Sequence, residues 1–151
     1  MLFRSLFVAL PGSRVDGHDF VAEAFSRGAI AALVSRVPAG LPALDNVQLI
    51  NTFLDMVPQL QPGHRYLLQV RDTVTAMHRA AEAWRNRFSL RIIGITGSVG
   101  KTSTKELTHA VLSQRGLTMK TPGNRNSILG LPPALFSLRP YHRWAVLEMG
   151  M

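Results

Sequence analysis

The chain has 151 residues, 46% of them hydrophobic, no cysteine and a formal charge of +8. That length and apolar content can bury the core of one domain or two small ones, and without cysteine neither disulfides nor thiolate metal sites can form, which fits a reducing compartment. The arginines are scattered along the chain, with no dense basic run and no interleaved aromatic platform. A nucleic-acid partner is therefore not expected, and the positive charge suits acidic small molecules at most.

Arg4 ahead of apolar residues has the outline of a secretory signal. Pro11 and Gly12 cut the run short of the roughly 7–15 residues a signal's apolar region needs, and no small-residue cleavage site follows. No other stretch approaches the ~20 apolar residues that span a bilayer. A soluble, cytoplasmic chain with no membrane partner is the expectation. Residues 6–10 then read as a short buried strand, and residues 11–17 as a turn rich in Gly and Asp.

A helix follows, with Asp19 as the cap of its first turn, Phe20 and Ala24 on its apolar side together with Ala22 and Phe25, and Gly28 as its stop. Residues 29–34 form a second strand, and the strand, helix, strand order predicts an α/β unit. His18 lies between Asp16 and Asp19, a setting with a catalytic look. No nucleophile or metal-ligand spacing accompanies it, so it reads as a structural turn histidine.

Residues 37–63 carry Pro38, Pro42, Pro58 and Pro62 and one short apolar segment, 47–49, with the character of an edge strand. No chemical role emerges there. Residues 66–70 read as a further strand. Val74, Met77, Ala81, Trp84 and Phe88 then recur three and four apart, which places them on one helical face and predicts core packing.

Residues 90–106 carry the chemistry. Leu90, Ile92, Ile93 and Ile95 predict a buried parallel strand, Gly97 and Gly100 a tight loop, and a helix runs from near Lys101 until Gly116 stops it. In that order, consecutive backbone N–H groups and the helix N-terminus converge on phosphate oxygens. The nucleotide-binding residues are then Thr96, Gly97, Ser98, Val99, Gly100, Lys101, Thr102 and Ser103, with Lys101 reaching the terminal phosphates and Thr102 holding magnesium. The strict phosphate-loop pattern asks for glycine where this chain has Ile95.

Downstream, residues 117–120 read as a strand leading into a polar loop at the carboxyl edge of the sheet, where ligands of open α/β folds sit. Asn124 and Asn126 in that loop are good donors to phosphate or carboxylate. Residues 144–148 form an apolar strand ending in Glu148, a carboxylate placed to anchor magnesium beside Thr102.

The segment Thr96-Gly97-Ser98-Val99-Gly100-Lys101-Thr102 resembles the phosphate loop of the Mur ligase family, in which the first Walker glycine is dispensable. Its continuation, Ser103-Thr104-Lys105-Glu106, is similar to the branch that adds D-alanyl-D-alanine. Residues 121–132 resemble the same branch, with Ser127 standing where it has the second asparagine of a pair. Residues 144–150 resemble the family's strand ending in Glu-[Met/Leu]-Gly, and residues 6–21 with Gly28 and Ala29 look like its first domain. An Asp-Ser-Arg element that usually precedes that block is absent.

The resemblance implies a small N-terminal α/β domain over residues 1–70, incomplete at its start, that recognises a UDP-linked precursor. Residues 71–151 would begin a P-loop, parallel-sheet ATP-binding domain. It implies an ATP- and magnesium-dependent ligase of peptidoglycan synthesis, acting as a monomer. Its substrates would be UDP-N-acetylmuramoyl-tripeptide and D-alanyl-D-alanine, joined through an acyl phosphate. Lys101, Asn124 and Asn126 would be catalytic, and Thr102 and Glu148 would bind the metal. The family's carboxylated lysine, a histidine metal ligand and the amine-binding domain would lie beyond Met151, so the chain reads as an N-terminal fragment, inactive alone. Three rival readings remain: another Mur branch that adds the third amino acid, a P-loop switch or transport ATPase, and a non-catalytic nucleotide-binding fragment.

Overall fold

A computed structural model of the chain describes residues 5–39, 41, 46–52, 59–123 and 125–150. These form mixed α/β structure in which every strand pair is parallel. They divide into two compact units, Met1–Met77 and His78–Met151.

The first unit holds β1 (Leu6–Val8), α1 (Val21–Ser26), β2 (Ala31–Val34), β3 (Val47–Asn51) and β4 (Arg65–Gln69). Its sheet runs in the order β1-β2-β4-β3, so the apolar segment at 47–49 is an edge strand as expected, two residues longer. Phe7 is in register with Ala32, and Ala32 with Leu67. Val21, Ala24 and Phe25 of α1 pack with Ala32, Val34 and Leu67 to make the core. Each of these apolar faces is removed from water by the next, which stabilises the fold by roughly 25 cal/mol per Å² buried.

The entry into α1 departs from the sequence expectation in two respects. Phe20 and Ala22, expected on the apolar side, are exposed while Val21 is buried, and Asp16, not Asp19, is the capping residue, three positions earlier, because the chain enters the helix through a 3-10 turn over Gly17–Phe20. The Asp16 carboxylate accepts from His18 N at 2.9 Å. Asp19 lies instead 3.4 Å from the Arg36 guanidinium. Gly17 is required there: a Cβ would stand 2.7 Å from Leu10 N and 2.8 Å from Leu10 O, closer than van der Waals contact allows.

In the second unit the sheet order is β5-β7-β6, with β5 at Arg91–Ile95, β6 at Thr118–Lys120 and β7 at Trp144–Glu148. The expected buried strand at 90–95 is only partly so. Among the described residues β5 lies at an edge, and Ile92 and Ile93 are half-buried while Leu90 and Ile95 are buried. The central strand is β7, whose Ala145, Val146, Leu147 and Glu148 are all buried. An all-apolar run marks a strand for a parallel sheet but does not reveal its rank within it.

The helix α2 (Thr73–Arg85) carries Val74, Met77, Ala81 and Trp84 of the predicted stripe, with Met77 and Ala81 buried, and ends before Phe88. Trp84 and Phe88 meet edge-on at 5.3 Å and pack on Leu90, Met119, Ala134, Leu138, Ala145 and Leu147. The helix α3 (Lys101–Ser113) follows β5, and a short α4 (Leu131–Leu135) precedes β7. The sequence analysis assigns no helix to these residues; Pro132 and Pro133 are nonetheless compatible with one, because proline in a first turn loses no helical hydrogen bond and its φ is already helical. Among the described residues no helix is long and apolar enough to cross a membrane.

Candidate functional site

The loop from Thr96 to Gly100 joins the end of β5 to the start of α3. Gly100 adopts φ 78°, in the left-handed region that costs an L-residue roughly 1–2 kcal/mol. A Cβ there would meet nothing within 4 Å, so the requirement is conformational rather than steric. Lys101 is the first residue of α3, and its ammonium turns back into the loop, donating to Gly97 O at 2.5 Å and Ser98 O at 3.4 Å. The first N–H groups of a helix have no partner within it, so this end presents donors and a partial positive charge to any anion seated in the loop.

Opposite the loop, Glu148 ends β7 with 2% of its surface exposed. Its Oε1 accepts from Thr102 Oγ1 at 3.3 Å and from Asn126 Nδ2 at 2.8 Å. Its Oε2 accepts from Thr102 Oγ1 at 3.1 Å and lies 3.1 Å from Lys105 Nζ. The Glu148 N–H donates to Thr121 Oγ1 at 3.0 Å, which fixes the backbone from which the carboxylate projects. Burial alone would raise the pKa of this carboxyl. Hydrogen bonds from Lys105, Asn126 and Thr102, with the charge of Lys105, outweigh it and hold the group below its ordinary value.

The two residues given to the metal by sequence reading, Thr102 and Glu148, are thus brought into contact from different elements. Both offer the hard oxygen donors that magnesium selects, at the carboxyl edge of the sheet and beside a helix N-terminus, so the residues present fit that ion. Among the described residues no group of three or more His, Asp or Glu could hold a metal. The remaining oxygens would therefore come from phosphate and water.

Asn126 is brought to the same centre, but its side-chain amide Nδ2 is engaged with Glu148, and its backbone carbonyl accepts from Gly150 N at 2.7 Å. Asn124 lies outside the described residues. Ser127 Oγ accepts from Gly130 N at 3.1 Å, a local bond ahead of α4. His18 is buried in the first unit, with Nδ1 2.5 Å from Asp16 Oδ1 and Nε2 accepting from Ser35 N at 2.9 Å. Because Nε2 accepts, the ring proton sits on Nδ1, and the side chain ties the turn to the end of β2.

Two site residues were missed. Lys105 is fully buried and donates to Gly123 O at 2.6 Å as well as pairing with Glu148. Thr121 is fully buried and accepts from the backbone N–H of Glu148. The signals for Lys105 were its place in the Ser103–Glu106 segment and its position four residues after Lys101, on the same side of α3.

The Mur ligase family catalytic-domain pattern matches residues 1–85, and the Mur ligase middle-domain pattern matches residues 95–151. The chain belongs to the Mur ligase family. This Mur ligase chain is 42% identical over 146 residues to the UDP-N-acetylmuramoyl-tripeptide--D-alanyl-D-alanine ligase of Synechocystis, covering 97% of its own length and 28% of the relative. Among solved structures it resembles MurF from Acinetobacter baumannii, with a TM-score of 0.74 and 32% identity over 97% of this chain and 28% of that one. It also resembles the MurF ligase of Thermotoga maritima in complex with ADP, with a TM-score of 0.73 and 31% identity over 98% of this chain and 29% of that one. It therefore spans about 28% of the length of the curated relatives it matches.

Proposed function

We propose that the chain is the precursor-binding and phosphate-binding part of an ATP-dependent ligase that joins D-alanyl-D-alanine to UDP-N-acetylmuramoyl-tripeptide in the cytoplasm. The observation that carries this reading is the convergence of Thr102 and Glu148 beside the Lys101 loop, in a Mur ligase chain 42% identical to a D-alanyl-D-alanine ligase. The first unit would hold the UDP end of the precursor, and the second would hold ATP along residues 96–103.

In the first chemical step the terminal carboxylate of the tripeptide attacks the γ-phosphorus of ATP, the bond to the β-bridging oxygen breaks, and ADP leaves an acyl phosphate. The amine of D-alanyl-D-alanine then attacks the acyl carbon, loses a proton and expels phosphate. Lys101, now turned onto loop carbonyls, would exchange them for phosphate oxygens, and the loop amides and helix N-terminus would stabilise the charge that spreads over the transferred group. Magnesium, when held by Thr102 and Glu148, would neutralise charge on the β- and γ-oxygens. Asn126 would keep the Glu148 carboxylate in place, and Asn124 would act on the reacting groups from the same loop. The molecule would work as a monomer.

A chimera tests the reading. This chain replaces the matching segment of the Synechocystis ligase, and the product is followed by mass spectrometry with ATP, magnesium and UDP-N-acetylmuramoyl-tripeptide. Pentapeptide should form with D-alanyl-D-alanine, and the isolated 151-residue chain should form none. Chimeric protein that folds and binds ATP but adds only a third amino acid to the dipeptide precursor would move the chain to another Mur branch.

A further inference from the structure

A metal-anchoring carboxylate is most useful when its lone pairs are free, and most of those of Glu148 are engaged. Each oxygen has two acceptor positions. Oε1 is met by Asn126 and Oε2 by Lys105, and the single Thr102 hydroxyl proton is shared between the two oxygens. Lys105 cannot swing out to solvent, because it is fully buried and is held a second time by Gly123 O at 2.6 Å. Its third neighbour, Glu106 Oε1 at 3.7 Å, belongs to a carboxylate that is itself paired with Lys120.

The ion pairs around Glu148 therefore link two ammonium groups, Lys105 and Lys120, with two carboxylates, Glu106 and Glu148. Before any phosphate is bound this set is balanced, and the Glu148 charge is already met by Lys105, so little is left to attract a dication. A polyphosphate seated on residues 96–103 makes the site negative. It also draws Lys101 onto its own oxygens and supplies metal ligands that the described residues lack.

We propose that Lys105 is a positioning residue that acts as the internal counter-ion of Glu148, so that a divalent cation is held at Thr102 and Glu148 only together with nucleotide phosphates. This inference rests on the nucleotide-site reading above. Its consequence is an order of events: the cation enters bound to the nucleotide, Thr102 Oγ turns from Glu148 to the ion, and Lys105 keeps the carboxylate from capturing a cation beforehand.

The test measures Mn2+ binding by electron paramagnetic resonance and calorimetry, without nucleotide, in the native chain, in Lys105→Gln and in Lys105→Gln/Glu148→Gln. Glutamine removes the charge yet can still donate to Gly123 O. The native chain should hold no ordered Mn2+. Lys105→Gln should gain one site, at least about tenfold tighter than any in the native chain, and Mn2+ should raise its Tm. The double variant should lose that site. A purely structural lysine would leave the folded variant, like the native chain, with no ordered Mn2+ site.

The native chain also decides the matter without any variant but Glu148→Gln. Tight Mn2+ binding in the absence of nucleotide, abolished by Glu148→Gln, would overturn the proposal. So would a folded Lys105→Gln chain with no gained site. Calorimetry of the native chain with a non-hydrolysable ATP analogue and magnesium runs in parallel. Failure there would sink the nucleotide site itself and leave the metal-only comparison readable.

Discussion

At the scale of single residues, the same carboxylate chemistry does different things in the two units. Asp16 is held well below the usual carboxylate range, first by the His18 backbone N–H, then by the Arg36 guanidinium and the His18 ring, against a smaller opposing effect of burial. A carboxyl with a depressed folded-state pKa contributes stability above its unfolded value, and that contribution is lost as pH falls through the folded value. The native chain should therefore lose stability on acidification from about pH 4 to about pH 2 more steeply than Asp16→Asn, as followed by urea unfolding at each pH. Equal slopes would show that the Asp16 bonds do not distinguish the folded from the unfolded chain.

Residues of the phosphate site differ in how visible they are in sequence. Lys101, Thr102 and Glu148 could be named because a glycine loop between a strand and a helix, and an acid closing an apolar strand, each point to a function locally. Lys105 could not. A buried lysine is intelligible only through its partners, and these come from β7 and from the loop at Gly123, both remote in sequence from α3.

At the scale of elements, most strands and α2 were legible from apolar pattern, because burial imposes it, while α3 was legible from the glycine loop before it and Gly116 after it. What period does not contain is rank and register. It gave β5 as a buried strand, while the structure buries β7 between β5 and β6. It missed α4, because two prolines that start a helix look the same in sequence as two that break one. The packed and open faces of the second unit make a direct comparison. Leu138 is fully buried among Trp84, Met119 and Leu147, while Leu107 on α3 is 69% exposed. Leu138→Ala should lower unfolding stability by about 3 kcal/mol, as expected for a buried leucine truncated to leave a cavity. Leu107→Ala should stay within about 0.5 kcal/mol of native. Chemical denaturation of both variants checks this, and a large loss at Leu107 would mean that face is covered in the folded protein.

At the scale of the whole molecule, the sequence divides at α2 into two compact units, and family patterns on either side belong to the catalytic and middle domains of Mur ligases. The chain covers about 28% of its curated relatives, and under the proposed function its own part is binding. Ligation depends further on holding an amine at near-attack distance, an ordering that can contribute ~7–11 kcal/mol to catalysis. Binding of nucleotide phosphates at residues 96–103, with Glu148 across the loop, is the claim on which the rest depends. The direct measurement is calorimetric titration of the native chain, Lys101→Ala and Glu148→Gln with a non-hydrolysable ATP analogue, with and without magnesium. The native chain should bind one nucleotide more tightly with magnesium than without. Lys101→Ala should weaken binding at least about tenfold in both conditions, as the loss of a charged phosphate contact requires. Glu148→Gln should lose chiefly the magnesium-dependent gain. Unchanged affinity in Lys101→Ala, or a magnesium effect that survives intact in Glu148→Gln, would contradict this account of the site.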